Sequence, residues 1–123
     1  MMRGREAERE LVKKLREKGF KAVRIPASNP SAEPLPDVFA TKGDVLLAIE
    51  VKSTWEKKVK VREEQVKKLF DFLSFFPLNG MALVVGKFKR RRWTVRVVEK
   101  VEDIIISEDD EDLDMFIQKL FKQ

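Results

Sequence analysis

Outside its Lys42-Gly43-Asp44 turn, the segment "PDVFATKGDVLLAIEVK", which runs from Pro36 to Lys52, is largely apolar but holds three charged residues: Asp37, Glu50 and Lys52. The segment reads as two strands, Val38–Thr41 and Val45–Ser53, in a hairpin around Lys42-Gly43-Asp44. Side chains alternate along a strand, so Val45, Leu47, Ile49 and Val51 share one face and Leu46, Ala48, Glu50 and Lys52 the other. Both faces begin apolar, which predicts a central strand covered on both sides. Glu50 and Lys52 then lie side by side at its C-terminal end, where a buried charge needs a partner or an ion. A plain Glu50–Lys52 ion pair would meet that need. The hairpin, however, also brings Asp37 beside Glu50. Two adjacent carboxylates repel unless a proton or cation lies between them. A divalent ion held by Asp37 and Glu50 resolves the conflict, with Lys52 just beyond it.

The residue inventory narrows the chemistry. The chain has neither cysteine nor histidine, which excludes disulfides, thiol catalysis, the common imidazole base and thiolate- or imidazole-bound zinc. Any metal must be held by oxygen, which points to magnesium, manganese or calcium. A further carboxylate stands out in the first helix. At about 100° per residue, Leu11, Val12 and Leu15 cluster around Glu8, so this acid lies within the apolar stripe. Such a residue should point at the sheet, where it can help to bind metal or orient water; a frayed first turn would instead leave it in solvent.

The elements that must position these groups follow from periodicity. Arg5–Lys18 reads as a helix stopped by Gly19, followed by a strand over Phe20–Ile25. "PASNPSAEPLP" holds four of the five prolines and is a loop. Arg62–Phe76 is a second helix, ended by Pro77 and Asn79-Gly80. Met81–Phe88 and Trp93–Val98 form another hairpin with Lys89, Arg90, Arg91 and Arg92 at its tip, and Trp93 is expected in the core. Val101–Ile106 is a short strand or extended piece. The acidic run after it should cap a last helix, Leu113–Phe121. The result is one domain over residues 1–123, a mixed α/β layer structure, with the acidic segment 107–123 at its end.

Charge points to the partner. The chain carries 26 Lys and Arg against 21 Asp and Glu. Six of those acids and only two of the lysines lie in 107–123, so the preceding residues hold 24 bases against 15 acids, a net of +9. A body that basic favours a polyanion, and the arginines at the hairpin tip suit phosphate contacts. No apolar run reaches the length of a membrane span, so an intracellular, cytoplasmic protein with no membrane partner is expected. In the second helix, Val66, Leu69, Phe70, Leu73 and Phe76 make an inward stripe; Phe72 lies at its edge and Phe75 on the far side. These extra aromatics suggest a second buried surface, hence an interface.

The order Pro36-Asp37, twelve residues, then Glu50-Val51-Lys52 is the core pattern of the PD-(D/E)xK nuclease superfamily. Together with "GREAERELVKKLREKGF", "AVRIPAS", "LLAIEVKS", Gln65, "MALVVGKF" and Trp93, it makes residues 3–98 resemble the archaeal-type Holliday junction resolvases, including phage and viral relatives. The resemblance implies a restriction-endonuclease-like fold, with a central mixed sheet flanked by helices. It implies a homodimeric, magnesium-dependent endonuclease, with manganese as an alternative ion, that recognises four-way DNA junctions by shape and nicks two opposed strands.

By the same resemblance, Asp37 and Glu50 match the metal carboxylates, with the Val51 carbonyl as a further ligand, and Lys52 the catalytic lysine. Glu8 and Arg9 match the Glu-Arg of the first helix, Arg24 the basic residue after the first strand, and Ser28 the serine of the following loop. The turn before Ser28 departs from the family's Gly-containing form and reads Pro26-Ala27. Arg9 and Arg24, with Arg90–Arg92, would grip phosphates. Phe72 and Phe75 would join two copies, since paired incision by a chain with one site needs a dimer. The alternatives are another PD-(D/E)xK endonuclease of restriction or repair type, and a non-catalytic DNA-binding module.

Overall fold

Helix α1 (Gly4–Glu17) buries Ala7, Leu11, Val12 and Leu15 along one stripe. The structure, a computed structural model, describes residues 4–26, 33–89 and 92–121. Gly19 ends α1 at φ +92°. Its N–H donates to the Arg16 carbonyl and that of Phe20 to the Leu15 carbonyl, both at 3.0 Å. This pair of bonds needs a left-handed residue after the cap, which glycine adopts without steric cost.

Strands β1 (Lys21–Arg24), β2 (Val38–Lys42) and β3 (Val45–Ser53) run antiparallel in sequence. The β2–β3 turn passes through Gly43 at φ +60°. β5 (Met81–Phe88) lies parallel to β3, from Leu47 opposite Met81 to Ser53 opposite Lys87. Parallel neighbours require a crossover, and it contains strand β4 (Lys58–Val61) and helix α2 (Glu63–Leu73). β6 (Arg92–Val98) and the two-residue β8 (Glu111–Asp112) complete a mixed sheet of order β1-β2-β3-β5-β6-β8. β7 (Ile104–Ser107) pairs only with β4, in a separate ribbon.

The sheet has two covered faces. On one, α1 and α3 (Leu113–Leu120) pack over Leu47, Ile49, Val51, Leu83 and Val85. On the other, α2 and the β4–β7 ribbon cover Leu46, Ala48 and Val84 with Val66, Leu69, Ile104 and Ile106. β3 is thus central and buried on both sides, as its two apolar faces require. Trp93 is in the core at 7% exposure.

Three boundaries differ from expectation for physical reasons. β4 reads "KVKV", where two lysines hide a strand whose apolar partners, Ile104 and Ile106, lie some 45 residues further along the chain. The apolar piece expected at Val101–Ile106 is therefore Ile104–Ser107, drawn to β4 rather than to the main sheet. The acidic run contributes β8 and, as expected, the cap of α3: the Asp112 carboxylate accepts from the Met115 N–H at 3.1 Å. Finally, α2 ends a turn early, because the Phe75 and Phe76 N–H groups bond only three residues back. That tighter turn swings Phe76 against Phe39, 5.4 Å between ring centroids, and Phe72 packs edge-on to Phe39 at 5.1 Å. Phe72 is half-buried in a cluster with Phe39 and Phe76 of its own chain. Phe75 stays 73% exposed. Among the described residues no helix is long and apolar enough to cross a membrane.

Candidate active site

The C-terminal end of β3 carries the site. Glu50 projects to the α2 face at 8% exposure, with Lys52 half-buried two residues on. Asp37 immediately precedes β2, and two bonds fix it around Glu50: its N–H donates to the Ile49 carbonyl at 3.0 Å, and its Oδ2 accepts from the Val51 N–H at 2.9 Å. Its own carbonyl accepts from Ile25 N–H at 2.9 Å, tying it to the end of β1 beside Arg24. The hairpin thus brings Asp37, Glu50 and Lys52 together. Because a strand residue's N–H and C=O project to the same side, the Val51 carbonyl lies along the same edge as its N–H bond to Asp37.

Glu50 has an ion-pair partner and a hydrogen-bond donor. Lys52 Nζ is 3.6 Å from its Oε2, and Gln65 Nε2 donates to the same oxygen at 3.0 Å. Gln65 is the third residue of α2, and its Oε1 accepts from the Arg62 N–H at 3.2 Å. That reach back to the helix cap commits the amide oxygen and leaves the NH₂ facing Glu50. Sequence reasoning had noted Gln65 without giving it a place in the site. The signal was its position three residues after the first residue of the helix segment, on the face that α2 turns toward the sheet.

The carboxyls are crowded. Burial, and next the charge of Asp37, push Glu50 up to about 8, against the pull of Lys52. Asp37 is raised as well, chiefly by burial, although the Val51 N–H, Glu50, Lys52 and Lys68 oppose it. Lys68, one turn beyond Gln65, is thereby a second cationic neighbour of Asp37 after Lys52, and one that the sequence does not single out. Glu8 is pushed up to about 7 by burial and then by Asp37, against Arg24 and Arg5.

Glu8 faces inward as its place in the stripe predicts, but its Oε1 is 3.5 Å from the Arg24 guanidinium. Among the described residues no three acidic side chains are grouped closely enough to hold an ion together. Arg24 pairs with Glu8 on the α1 side of the site, and the Asp37 charge acts on Glu8 through space. The donor set that fits a hard divalent cation is the buried Glu50 carboxylate, the half-buried Asp37 carboxylate and a neighbouring carbonyl, all oxygen.

Arg9 and Arg24 line one groove of about 650 Å³ beside α1, with Lys13, Arg16, Glu17 and Pro26. Arg92 stands at the start of β6, exposed, with its Nε donating to the Glu108 carbonyl at 2.6 Å. Ser28, Arg90 and Arg91 lie outside the described residues. A pair not foreseen, Lys87 with Glu10, ties β5 to α1; Lys87 is only 8% exposed and lies 5.3 Å from the Trp93 ring centroid.

Comparison with known proteins bears on this arrangement. The model of the family described as archaeal Holliday junction resolvase (Hjc) matches residues 1–120. The chain is 56% identical over 125 residues to a crossover junction endodeoxyribonuclease Hje of Saccharolobus solfataricus, covering 98% of this chain and 93% of the relative. A crossover junction endodeoxyribonuclease of Sulfolobus islandicus rod-shaped virus 1 is 39% identical over 90 residues, covering 73% of this chain and 74% of the viral protein. The solved structure of Archaeoglobus fulgidus Hjc, a Holliday junction resolvase, matches with TM-score 0.70 and 30% identity over 83% of this chain and 86% of that one. The resemblance drawn from the sequence motifs, and the fold it implied, are both borne out.

Proposed function

This chain belongs to the archaeal Holliday junction resolvase family, and on that premise we propose how its residues divide the work of a crossover junction endodeoxyribonuclease. The protein is an enzyme that cuts DNA at four-way junctions. One observation carries the reading of its site: a buried carboxyl, Glu50, and a half-buried one, Asp37, crowd each other at a strand end, and both are raised beside Lys52.

Asp37, Glu50 and the Val51 carbonyl would hold a magnesium ion, or manganese in its place. When bound, that ion supplies charge to polarise the scissile phosphate and acidify water. Gln65 keeps Glu50 in one rotamer through its bond at 3.0 Å, with its own orientation fixed by the helix cap. Lys52 neutralises charge that builds on the phosphate oxygens and orients the attacking water. Glu8, paired with Arg24 within reach of the Asp37 charge, would help to bind the metal or orient its water. Arg9 and Arg24, on one groove wall, take phosphates of an arm on the α1 side; Arg90–Arg92 take phosphates at the hairpin tip.

Cutting two opposed strands requires two such sites in one particle, so the working form is a homodimer. The exposed Phe75 and Leu78, 73% and 55% accessible, supply the apolar surface for it after α2. The enzyme works where branched DNA arises, inside the cell. The test is a cleavage assay with four-way, flap and linear duplex DNA of matched sequence, with and without Mg²⁺. Symmetric, metal-dependent nicks in the four-way junction alone are expected. Equal cutting of linear duplex would replace junction selectivity with a restriction- or repair-type activity.

A further inference from the structure

The chain has two tryptophans, and they have opposite environments. Trp93 is buried, whereas Trp55 is 57% exposed. An indole in water forgoes a large gain from burial, so a rigidly presented one calls for a partner. Trp55 is rigidly presented. The Thr54 N–H before it donates to the Lys87 carbonyl at 3.1 Å, and the Glu56 N–H after it donates to Thr54 Oγ1 at 3.0 Å. These bonds pin the chain on both sides of the ring.

Its position is equally informative. Trp55 follows Lys52 by three residues, at the C-terminal end of β3. The parallel neighbour β5 ends at the same edge, where Lys89 follows it. Trp55, Lys57 and Lys89 line one groove of about 450 Å³, together with Glu56 and Glu108. Two lysines and two glutamates leave the groove without net charge, so a phosphate gains little by entering it. A flat aromatic ligand with amine donors on its edge and an anionic backbone outside gains in three ways. Its face stacks on the indole, its amines meet the carboxylates, and its phosphates meet the exposed lysines at the rim. A nucleobase fits that description.

We propose that Trp55, flanked by Lys57 and Lys89, is a stacking platform for a base left without its full stack at the branch point of the junction. Fully paired linear DNA offers every base a stack on both sides. Trp55 therefore discriminates branched from linear DNA rather than adding general affinity. The proposal rests on the junction-cutting reading given above.

The test measures binding in EDTA, where no strand is cut, to a synthetic four-way junction and to linear duplex of the same sequence. The junction carries 2-aminopurine at a base flanking the branch point. Trp55→Ala should weaken junction binding about ten-fold, the size of one lost base–aromatic stack, and leave duplex binding unchanged. Trp55→Phe should stay within about three-fold of wild type, since a smaller ring still stacks. The 2-aminopurine emission should change on binding of wild type but not of Trp55→Ala.

Wild-type junction affinity and an unchanged 2-aminopurine response in Trp55→Ala would overturn the platform while leaving junction recognition standing. Equal loss on junction and duplex would make Trp55 a general contact and also overturn it. A fall in the dimer fraction of Trp55→Ala by light scattering would assign the indole to a second copy of the chain instead. Wild type that bound both DNAs equally would overturn junction recognition and the platform together.

Discussion

Replacing Glu50 with glutamine should stabilise the metal-free protein above neutral pH, in proportion to the conflict the structure builds around that carboxyl. In the unfolded chain Glu50 loses its proton near 4.5; in the folded chain burial and Asp37 keep the proton on until about 8. Between those values the folded state binds more protons than the unfolded state, so stability falls as pH rises. The contribution is fully present below about pH 4.5 and is lost as pH climbs through 8. At about 1.4 kcal/mol per unit the ceiling is about 5 kcal/mol. Water drawn in on ionisation, and a proton shared with Asp37, reduce Glu50's own part to the order of 2–3 kcal/mol. For a domain of this size that is about 10 °C in Tm. Thermal melts in EDTA should therefore coincide for wild type and Glu50→Gln at pH 5, where both side chains are neutral, and separate by about that amount at pH 8.5. Added Mg²⁺ at pH 8.5 should raise the wild-type Tm and leave the variant unmoved. A gap of equal size at both pH values, or a variant less stable at pH 8.5, would refute the reasoning.

Asp37→Asn and Lys52→Ala should each lower junction cleavage at least about a hundred-fold, with junction affinity in a gel-shift assay kept within a few-fold, since neither removes a groove arginine. Gln65→Glu keeps the acceptor for the Arg62 N–H but turns the donor to Glu50 into a third acid; cleavage should fall while the Tm at pH 5 stays near wild type. Phe75→Asp should yield a folded monomer by light scattering, because the ring is 73% exposed and Phe72 is held by its own chain. That monomer should nick, but not linearise, a supercoiled plasmid bearing a cruciform.

How much of this was legible in the sequence depended on how local the signal was. The Val45–Ser53 and Met81–Phe88 strands are read to the residue, because a predominantly apolar run at a sheet centre needs no partner to identify it. The pairing of Asp37 with Glu50 followed from hairpin geometry, a matter of fourteen residues. β4 did not announce itself, since "KVKV" becomes a strand only by meeting Ile104 and Ile106. The packing of Phe72 likewise depends on Phe39 in β2, a contact that helix periodicity does not show. Gln65 was visible, but its role was not: only the bond to Arg62 N–H shows which end of the amide faces Glu50.

The sequence left two readings of Glu50 open, a plain ion pair with Lys52 or a site waiting for a cation, and they differ in the direction of a proton affinity. A carboxylate satisfied by a lysine holds its proton less tightly than in water. Glu50 has Lys52 at 3.6 Å and the Gln65 amide at 3.0 Å on the same oxygen, yet it holds its proton far more tightly. Burial and Asp37 outweigh both partners. Asp37 in turn is raised despite the Val51 N–H and two lysines. A fold selected only for stability would not gather two such groups at the end of a central strand, where an apolar pair would cost nothing. The imbalance makes sense when a further positive charge is expected between them. Glu8 carries the same conflict on the α1 side: burial and the Asp37 charge raise it although Arg24 lies 3.5 Å away.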